Sequence, residues 1–184
     1  MTANRRALAI AGIGVLGLLV VGALIGGIER GPGAPTFPPA GATTRPAGGA
    51  ALATRADVVA ALAAAGLQAE DVVSPYRPAE AARFASAPRL VLRAILPDDP
   101  EHGRIVIYEF LSPNEAATAA DEEAAYLGSG VGRVQFTPDT QITLRVIGST
   151  VIFFAWSPES SADTRASGIA PALATLGTAV AIPN

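Results

Sequence analysis

A run of twenty-two residues without a charge, Ala7 to Ile28, lies near the start of the chain. As a helix rising about 1.5 Å per residue, it is long enough to cross a hydrocarbon core of roughly 30 Å. It exceeds the apolar region of about 7–15 residues of a cleaved signal peptide. The nearest small-residue cleavage triplets, at 40–42 and 51–53, lie well beyond its end. The sequence therefore predicts a retained transmembrane helix over 7–28, with cleavage as the alternative.

Positive charge on the two sides of this run predicts its orientation. Arg5, Arg6 and the free amino terminus precede it, and Arg30 alone follows closely. Positive charge is retained on the cytoplasmic side of a membrane. We expect a single-pass protein of the cell membrane, with residues 1–6 in the cytoplasm and the rest of the chain beyond the helix on the extracytoplasmic side.

Residues 29–50 are predicted to be a linker. Five prolines and five glycines fall within 31–50, and no apolar period survives there. Such a composition is typical of an extended spacer. Regular patterns begin at residue 51, so we predict a folded extracytoplasmic domain over 51–184.

Composition excludes several kinds of chemistry. All thirteen basic residues are arginine and the chain has no cysteine, which removes lysine Schiff bases, phosphate-loop lysines, thiolate nucleophiles and disulfides. From residue 51 onward nine arginines face fifteen acidic residues, a net charge of −6. An acidic domain without a basic stripe is not expected to bind nucleic acid. The sequence predicts no cofactor.

Three stretches carry helix signals. The first opens on the capping-box-like Thr54–Asp57 and stops at Gly66. The second has a cap at Ser112, a proline after it and a glutamate at Glu115. Pro171 is expected to kink or restart the third. The predicted helices span about 54–66, 112–127 and 161–176, with the glycine-rich 128–132 ending the second.

Four stretches carry strand signals, and they form two predicted hairpins. The strands are Leu90–Leu96 and Ile105–Phe110 around the turn 97–103, and Gln141–Ile147 and Thr150–Trp156 around Gly148-Ser149. The element order helix, hairpin, helix, hairpin, helix predicts an α+β domain. It consists of an antiparallel sheet of about four strands with helices on one face.

The opposite face of such a sheet is a candidate interaction surface. It is expected to be mixed and partly apolar, which suits contact with another chain. The alternative is that the segment 67–89 folds across this face and covers it. The predicted face consists of Arg93, Ile105, Ile107, Glu109, Thr143 and Arg145.

Several stretches resemble a group of small bacterial envelope domains of unassigned role, many of them similar to lipoproteins. The likeness covers roughly residues 55–181. It rests on VVAALAAAGL at 58–67, IVIYEFLSPNEAATAADEEA at 105–124, STVIFFAW at 149–156 and ALATLGTAV at 172–180. Because this chain has no cysteine to carry a lipid, the resemblance implies that a helix takes the place of the lipid. It implies no activity and no site residues.

The turn 97–103 holds the candidate metal ligands Asp98, Asp99, Glu101 and His102. Oxygen-rich clusters bind hard cations, but calcium-loop spacing is missing. Aspartates are also common in hairpin turns rigidified by proline. A polar turn without a metal is therefore the alternative.

Three other groups of residues are of types that can carry chemistry, but their contexts do not predict a site. His102 is the only histidine, and no Gly-x-Ser-x-Gly elbow accompanies it to form a serine triad. Asp121, Glu122 and Glu123 are predicted to form a solvated helix face. The aromatic residues 153, 154 and 156 are predicted to pack in the core rather than to wall a ligand site. No catalytic residue is predicted.

The sequence predicts a membrane-tethered, non-catalytic module that binds a protein partner or itself. This follows from an anchor, a spacer, a compact domain and the lack of an assembled catalytic set. The alternative is an envelope sensor or enzyme that binds a small ligand or metal through the acidic residues Asp98–Glu101.

Overall fold

The computed structural model describes residues 46–73 and 76–183. The predicted transmembrane helix over 7–28 and most of the predicted linker lie outside this part of the chain. Within the described residues, no helix has both the length and the hydropathy needed to span a bilayer.

A six-stranded sheet, antiparallel at every pairing, forms the centre of the fold. Its strand order is β1-β2-β3-β5-β4-β6. The strands are β1 Ala69–Asp71, β2 Arg89–Ala94, β3 Arg104–Glu109, β4 Gln141–Ile147, β5 Thr150–Trp156 and β6 Thr178–Ala179. The prediction of an antiparallel α+β sheet is confirmed, with short strands added at both edges.

Both predicted hairpins are present, and they meet along β3 and β5. The second hairpin turns through Gly148 and Ser149, between the paired residues Ile147 and Thr150. Gly148 has a φ of 54°, a left-handed value that tight two-residue turns require and that glycine adopts without strain.

Five α-helices and one 3-10 helix surround the sheet in the described residues. The predicted cap of α3 forms, because Ser112 Oγ accepts from Glu115 N at 3.2 Å; Glu115 Oε2 reaches back past the cap and accepts from Leu111 N at 3.0 Å. Pro171 lies in the first turn of α5, where a missing N–H is tolerated. The helices are α1 Gly49–Ala64, α2 Ala82–Ser86, α3 Pro113–Gly128, α4 Gly130–Arg133, the 3-10 helix Thr164–Gly168 and α5 Ile169–Ala174.

The predicted start of the first helix is corrected, and its predicted stop at Gly66 is confirmed. Helix α1 begins before Thr54, whose buried hydroxyl lies 2.7 Å from that of Thr150 instead of capping the helix. The helix ends at Ala64, and Gly66 follows with a φ of 77°, the left-handed conformation of a glycine cap at a helix C-terminus. The glycine-rich stretch 128–132, predicted to end the second helix, also begins the single-turn helix α4, which Ser129 caps.

Helices cover both faces of the sheet, so the prediction of helices on one face is wrong. On the first face Ile105, Ile107, Ile152 and Phe154 pack in one core with residues of α1 and α5. The second face packs in a separate core with α2 and α3. The physical reason is that β3 and β5 are buried along nearly their whole length. A strand that is apolar on both sides needs cover on both sides.

The candidate interaction surface is consequently not a free surface. Ile105 and Ile107 are fully buried beneath α1 and α5, and Glu109 accepts a hydrogen bond from Gly48 N. Thr143 is opposite Phe154 on the same face. Arg145 donates to the carbonyl of Gly177 at 2.9 Å.

Of the described residues in the segment 67–89, Leu67 packs in the first core and Ala69 lies against it, but the segment does not run across that face. It supplies the edge strand β1 and the helix α2, and α2 packs on the second face. Arg93 also lies on the second face. Leu92 is paired with Ile105 and shares the first face with it, so the next residue, Arg93, points to the opposite face. There Arg93 pairs with Glu70.

Candidate functional site

The four candidate metal ligands do not converge. The side chain of Asp98 is 78% exposed and that of Glu101 is 77% exposed, whereas that of Asp99 is 7% exposed. Glu101 pairs with Arg104 at 3.2 Å. Across residues 46–73 and 76–183, no three His, Cys, Asp or Glu side chains are grouped so as to hold a metal ion.

Asp99 instead forms the centre of a hydrogen-bonded chain. Its Oδ1 pairs with His102 Nδ1, and its Oδ2 accepts from Ser161 Oγ at 2.9 Å and from Ala162 N at 3.2 Å. Burial opposes ionisation of Asp99, but these hydrogen bonds outweigh it and hold the pKa of the carboxyl below its ordinary value.

The order of groups in this chain differs from that of a serine triad. In a triad the imidazole lies between the hydroxyl and the carboxylate, so that it can take the hydroxyl proton. Here the carboxylate of Asp99 lies between Ser161 and His102. The arrangement orients the imidazole but does not activate the serine.

A groove of about 670 Å³ opens on the second face of the sheet. Its first wall is the segment that leads into α2, and its opposite wall is formed by the end of α3, by α4 and by the loop after α4. We name it the aromatic groove. Its lining residues are 76–80 and Ala85, then Tyr126, Val131, 135–137 and Thr140, and at one end His102, 155–157, 160 and 161.

Aromatic side chains are concentrated at this groove. Tyr76 lies on the first wall, Tyr126 and Phe136 lie on the opposite wall, and Trp156 borders one end. These are four of the ten aromatic residues in the chain. Tyr76 is held in place by Arg104, whose guanidinium carbon lies 5.0 Å from the ring centroid.

Hydroxyl groups surround one end of the groove. Asp139 fixes the turn that carries several of them, because its carboxylate accepts from Ser157 Oγ and from Glu159 N at 3.0 Å. The hydrogen bond from Ser157 is the largest of the effects that lower the pKa of Asp139 to about 2. The hydroxyl-bearing lining residues are Ser157, Ser160 and Ser161 at this end, with Thr137 and Thr140 on the opposite wall.

A buried polar cluster supports the first wall. Glu80 lines the groove with a side chain that is only 4% exposed, and its Oε1 accepts from Tyr108 Oη and from Arg89 Nη1, each at 2.5 Å. Arg77 approaches the other oxygen at 3.9 Å. Burial raises the pKa of Tyr108, and the neighbouring Glu80 adds to the rise.

Glu123 lies beside this cluster and is fully buried. The predicted solvated face over 121–123 is confirmed at Asp121 and Glu122, which are exposed, and is wrong at Glu123. Its Oε2 accepts from the main-chain N–H of Ala81 at 2.7 Å. Its Oε1 is buried and finds no hydrogen-bond partner within the described part of the chain. Burial raises the pKa of Glu123, the hydrogen bond from Ala81 lowers it, and the like charge of Glu80 raises it. Together these effects bring the pKa to about 7.

The sequence contained one signal for Glu123 that was missed. The buried positions of α3 follow helical spacing, and Glu123 falls within that series. Its buried companions are Ala116, Ala119, Ala120, Ala124 and Leu127. For the groove itself no such signal exists, since both walls come largely from irregular segments.

The prediction for the three aromatic residues of β5 holds for two of them. Phe153 and Phe154 are each 1% exposed and pack in the cores on opposite faces of the sheet. Trp156 packs partly against the first core and also borders the groove.

Comparison of the chain with protein-family models, curated proteins and solved structures finds no match in any of the three. The resemblance to envelope domains of the lipoprotein type therefore stays a prediction.

Proposed function

We propose that this chain is a membrane-tethered, extracytoplasmic, non-catalytic module that binds a peptide segment of a protein partner in the aromatic groove. The tether and its orientation rest on the uncharged run Ala7 to Ile28 and on the arginines that precede it. The linker after it would hold the domain away from the bilayer. The setting in a bacterial envelope rests on the sequence resemblance.

The composition of the groove walls supports binding above all. Ligand sites of about 300–1,000 Å³ combine apolar and aromatic walls with a few placed polar groups, and the groove of about 670 Å³ has this character. Tyr76, Tyr126 and Phe136 provide apolar walls. The hydroxyls near Ser157 and Ser160 offer both donors and acceptors, which the alternating N–H and C=O groups of an extended peptide require.

The arrangement of polar groups favours binding over catalysis. His102 is oriented by Asp99, but the serine in the same chain of hydrogen bonds donates to the carboxylate and not to the imidazole. Glu80 is engaged by Tyr108 and Arg89. A metal-dependent sensor at Asp98–Glu101 has no convergent carboxylates to support it.

Photo-cross-linking in native membranes tests the proposal. A photoreactive phenylalanine analogue placed at Gln135, on the groove, is compared with one at Leu52, which is 56% exposed on α1. We expect Gln135 to capture one partner protein through a defined segment, and a synthetic peptide of that segment to compete. Ala79→Trp, which fills the groove, should abolish the adduct.

Three other outcomes would overturn the partner proposal. Cross-links from Gln135 to a second copy of this chain would make the groove a site of self-association. A small molecule found in native mass spectrometry, displaced by Ala79→Trp, would make the protein a small-ligand module. Equal capture from Gln135 and Leu52, unaffected by Ala79→Trp, would remove the groove as the binding site.

The tether is tested by cysteine labelling, because the chain has no cysteine of its own. A cysteine replacing Leu52 should react with a membrane-impermeant maleimide in intact cells. A cysteine replacing Thr2 should react only after lysis. Recovery of a released chain that begins beyond residue 34 would show cleavage instead of anchoring.

A further inference from the structure

We propose that the segment 76–81 is a pH-sensitive wall of the aromatic groove, held in place while Glu123 is protonated and loosened when Glu123 loses its proton. As a regulation of binding, this rests on the proposed function of the groove. It would make binding strongest in acidic surroundings and weaker at alkaline pH.

The segment 76–81 is tied to the rest of the fold in part through two buried carboxyl groups, while Tyr76 at its start packs against the second core. Ala81 N donates to Glu123 Oε2 at 2.7 Å, which joins the end of the segment to α3. Glu80 is joined to β2 through Arg89 and to β3 through Tyr108. Since residues 76–80 line the groove, these two carboxyl groups hold part of its first wall in place.

Among the residues that the structure describes, no basic side chain forms an ion pair with Glu123. Arg89 is engaged by Glu80, and Arg83 forms a bidentate pair with the exposed Glu122. Glu80 raises the pKa of Glu123 as a like charge, and Glu123 in turn raises the pKa of Tyr126. The titratable and charged groups of this region are Arg77 and Glu80 on the segment, Arg83 on α2, Arg89 on β2, Tyr108 on β3, and Glu122 and Tyr126 on α3.

Ionisation of Glu123 therefore leaves a buried negative charge with Oε1 unpartnered and with the Glu80 carboxylate nearby. The hydrogen bond from Ala81 favours the ionised form, but burial has the larger effect in the opposite direction. The two carboxylates repel each other, and Glu80 is carried by the segment. Moving the segment outward would separate them and admit water to Oε1.

Spin-label distance measurements on the full chain in detergent micelles test this proposal. Cysteines replace Arg77 on the first wall and Val131 on the opposite wall, both exposed positions. Replacing Arg77 removes only its long, partly exposed ion pair with Glu80, and such pairs contribute little to stability. Distances are measured at about pH 5.5 and about pH 8.5, on either side of the Glu123 pKa of about 7.

We expect the distance distribution to become longer and broader at the higher pH, with a midpoint near the Glu123 pKa. Glu123→Gln and Glu123→Leu, which carry no charge at either pH, should keep the short distribution throughout. Glu122→Gln, the exposed neighbour on α3, should respond as the native sequence does. A distribution that does not change with pH, or the same widening in Glu123→Gln, would overturn the proposal.

A second measurement needs no substitution at Glu123. The amide resonance of Ala81 in the unsubstituted chain should titrate with the midpoint found for the spin labels, and an invariant resonance would overturn the proposal. No partner is added in either experiment. A failure here therefore removes the pH-sensitive wall, while the partner-binding proposal is decided separately by cross-linking.

Discussion

The phenolic hydroxyl of Tyr108 donates a 2.5 Å hydrogen bond to Oε1 of Glu80 and so connects the middle of the sheet to the wall of the aromatic groove. The tyrosine is fully buried, and its ring lies 4.5 Å from that of Phe84 on α2. Arg89 donates to the same carboxylate oxygen. One rigid core residue and one buried cation thus fix a side chain that lines the groove.

Loss of the Arg89 charge should lower the stability of the fold substantially. The pair with Glu80 has side-chain exposures of 12% and 4%, so Arg89→Gln leaves a buried carboxylate without its counter-charge. We expect the free energy of unfolding to fall by about 3 kcal/mol. The measurement is urea unfolding of the full chain, followed by the fluorescence of the single tryptophan.

Arg83 provides the matched control, since its pair with Glu122 has exposures of 42% and 46%. Arg83→Gln should lower the free energy of unfolding by less than about 1 kcal/mol. Equal costs for the two substitutions would mean that Glu80 is not buried with Arg89 as its counter-ion.

The titration of Glu123 should appear in the pH dependence of stability. Its pKa rises from an ordinary 4.5 to about 7 on folding, so the folded state binds more protons between these values. The stability that the neutral group contributes is complete below about pH 4.5 and is lost as the pH rises through about 7.

Glu123→Gln should be free of this loss. We expect the free energy of unfolding of Glu123→Gln, relative to the native sequence, to rise by about 3 kcal/mol between about pH 4.5 and about pH 8. The comparison requires unfolding curves at a series of pH values. Parallel pH profiles for the two proteins would show that Glu123 is not responsible for the change.

Replacement by asparagine should lower stability much more at Asp99 than at the neighbouring Asp98. Asp99→Asn disturbs the hydrogen bonds to His102, Ser161 and Ala162, and we expect a loss of about 2 kcal/mol at neutral pH. Asp98 is 78% exposed, so Asp98→Asn should change stability by no more than about 0.5 kcal/mol.

The sign of the pH dependence distinguishes Asp99 from Glu123. Because the folded pKa of Asp99 is lowered, its contribution is present above its ordinary pKa of 3.8 and is lost as the pH falls through the lower folded value. The difference between the native chain and Asp99→Asn should therefore shrink in acid. A difference that instead shrinks above neutral pH would contradict the ionised, hydrogen-bonded carboxylate.

The sequence is sufficient to predict elements that depend on a few adjacent residues, such as a helix cap, a tight turn or an alternating strand. The cap at Ser112, the turn at Gly148-Ser149 and the strand Gln141–Ile147 are each present as predicted. The edge strands were missed because Ala69–Asp71 and Thr178–Ala179 carry no apolar alternation and become strands only by pairing with a neighbour.

Two other features depended on tertiary contacts that the sequence does not specify. Arg93 was assigned to the wrong face because the loop joining β2 and β3 is long, and a one-residue change in register moves every side chain to the opposite face. The aromatic groove is formed where the irregular segments 76–80 and 135–137 meet. Neither segment has a period or a motif that places it beside the other.

The covered first face of the sheet leads to a prediction that separates core from interface. Ile107 is fully buried in the core that includes α1 and α5, so Ile107→Ala should lower the free energy of unfolding by about 3 kcal/mol. Leu52, on α1 but 56% exposed, is the control, and Leu52→Ala should change it by no more than about 0.5 kcal/mol. Urea unfolding gives the stabilities, and light scattering gives the oligomeric state of the same samples. If Ile107→Ala kept its stability and instead dissolved an oligomer, the residue would belong to an interface between copies, and helices would not cover this face.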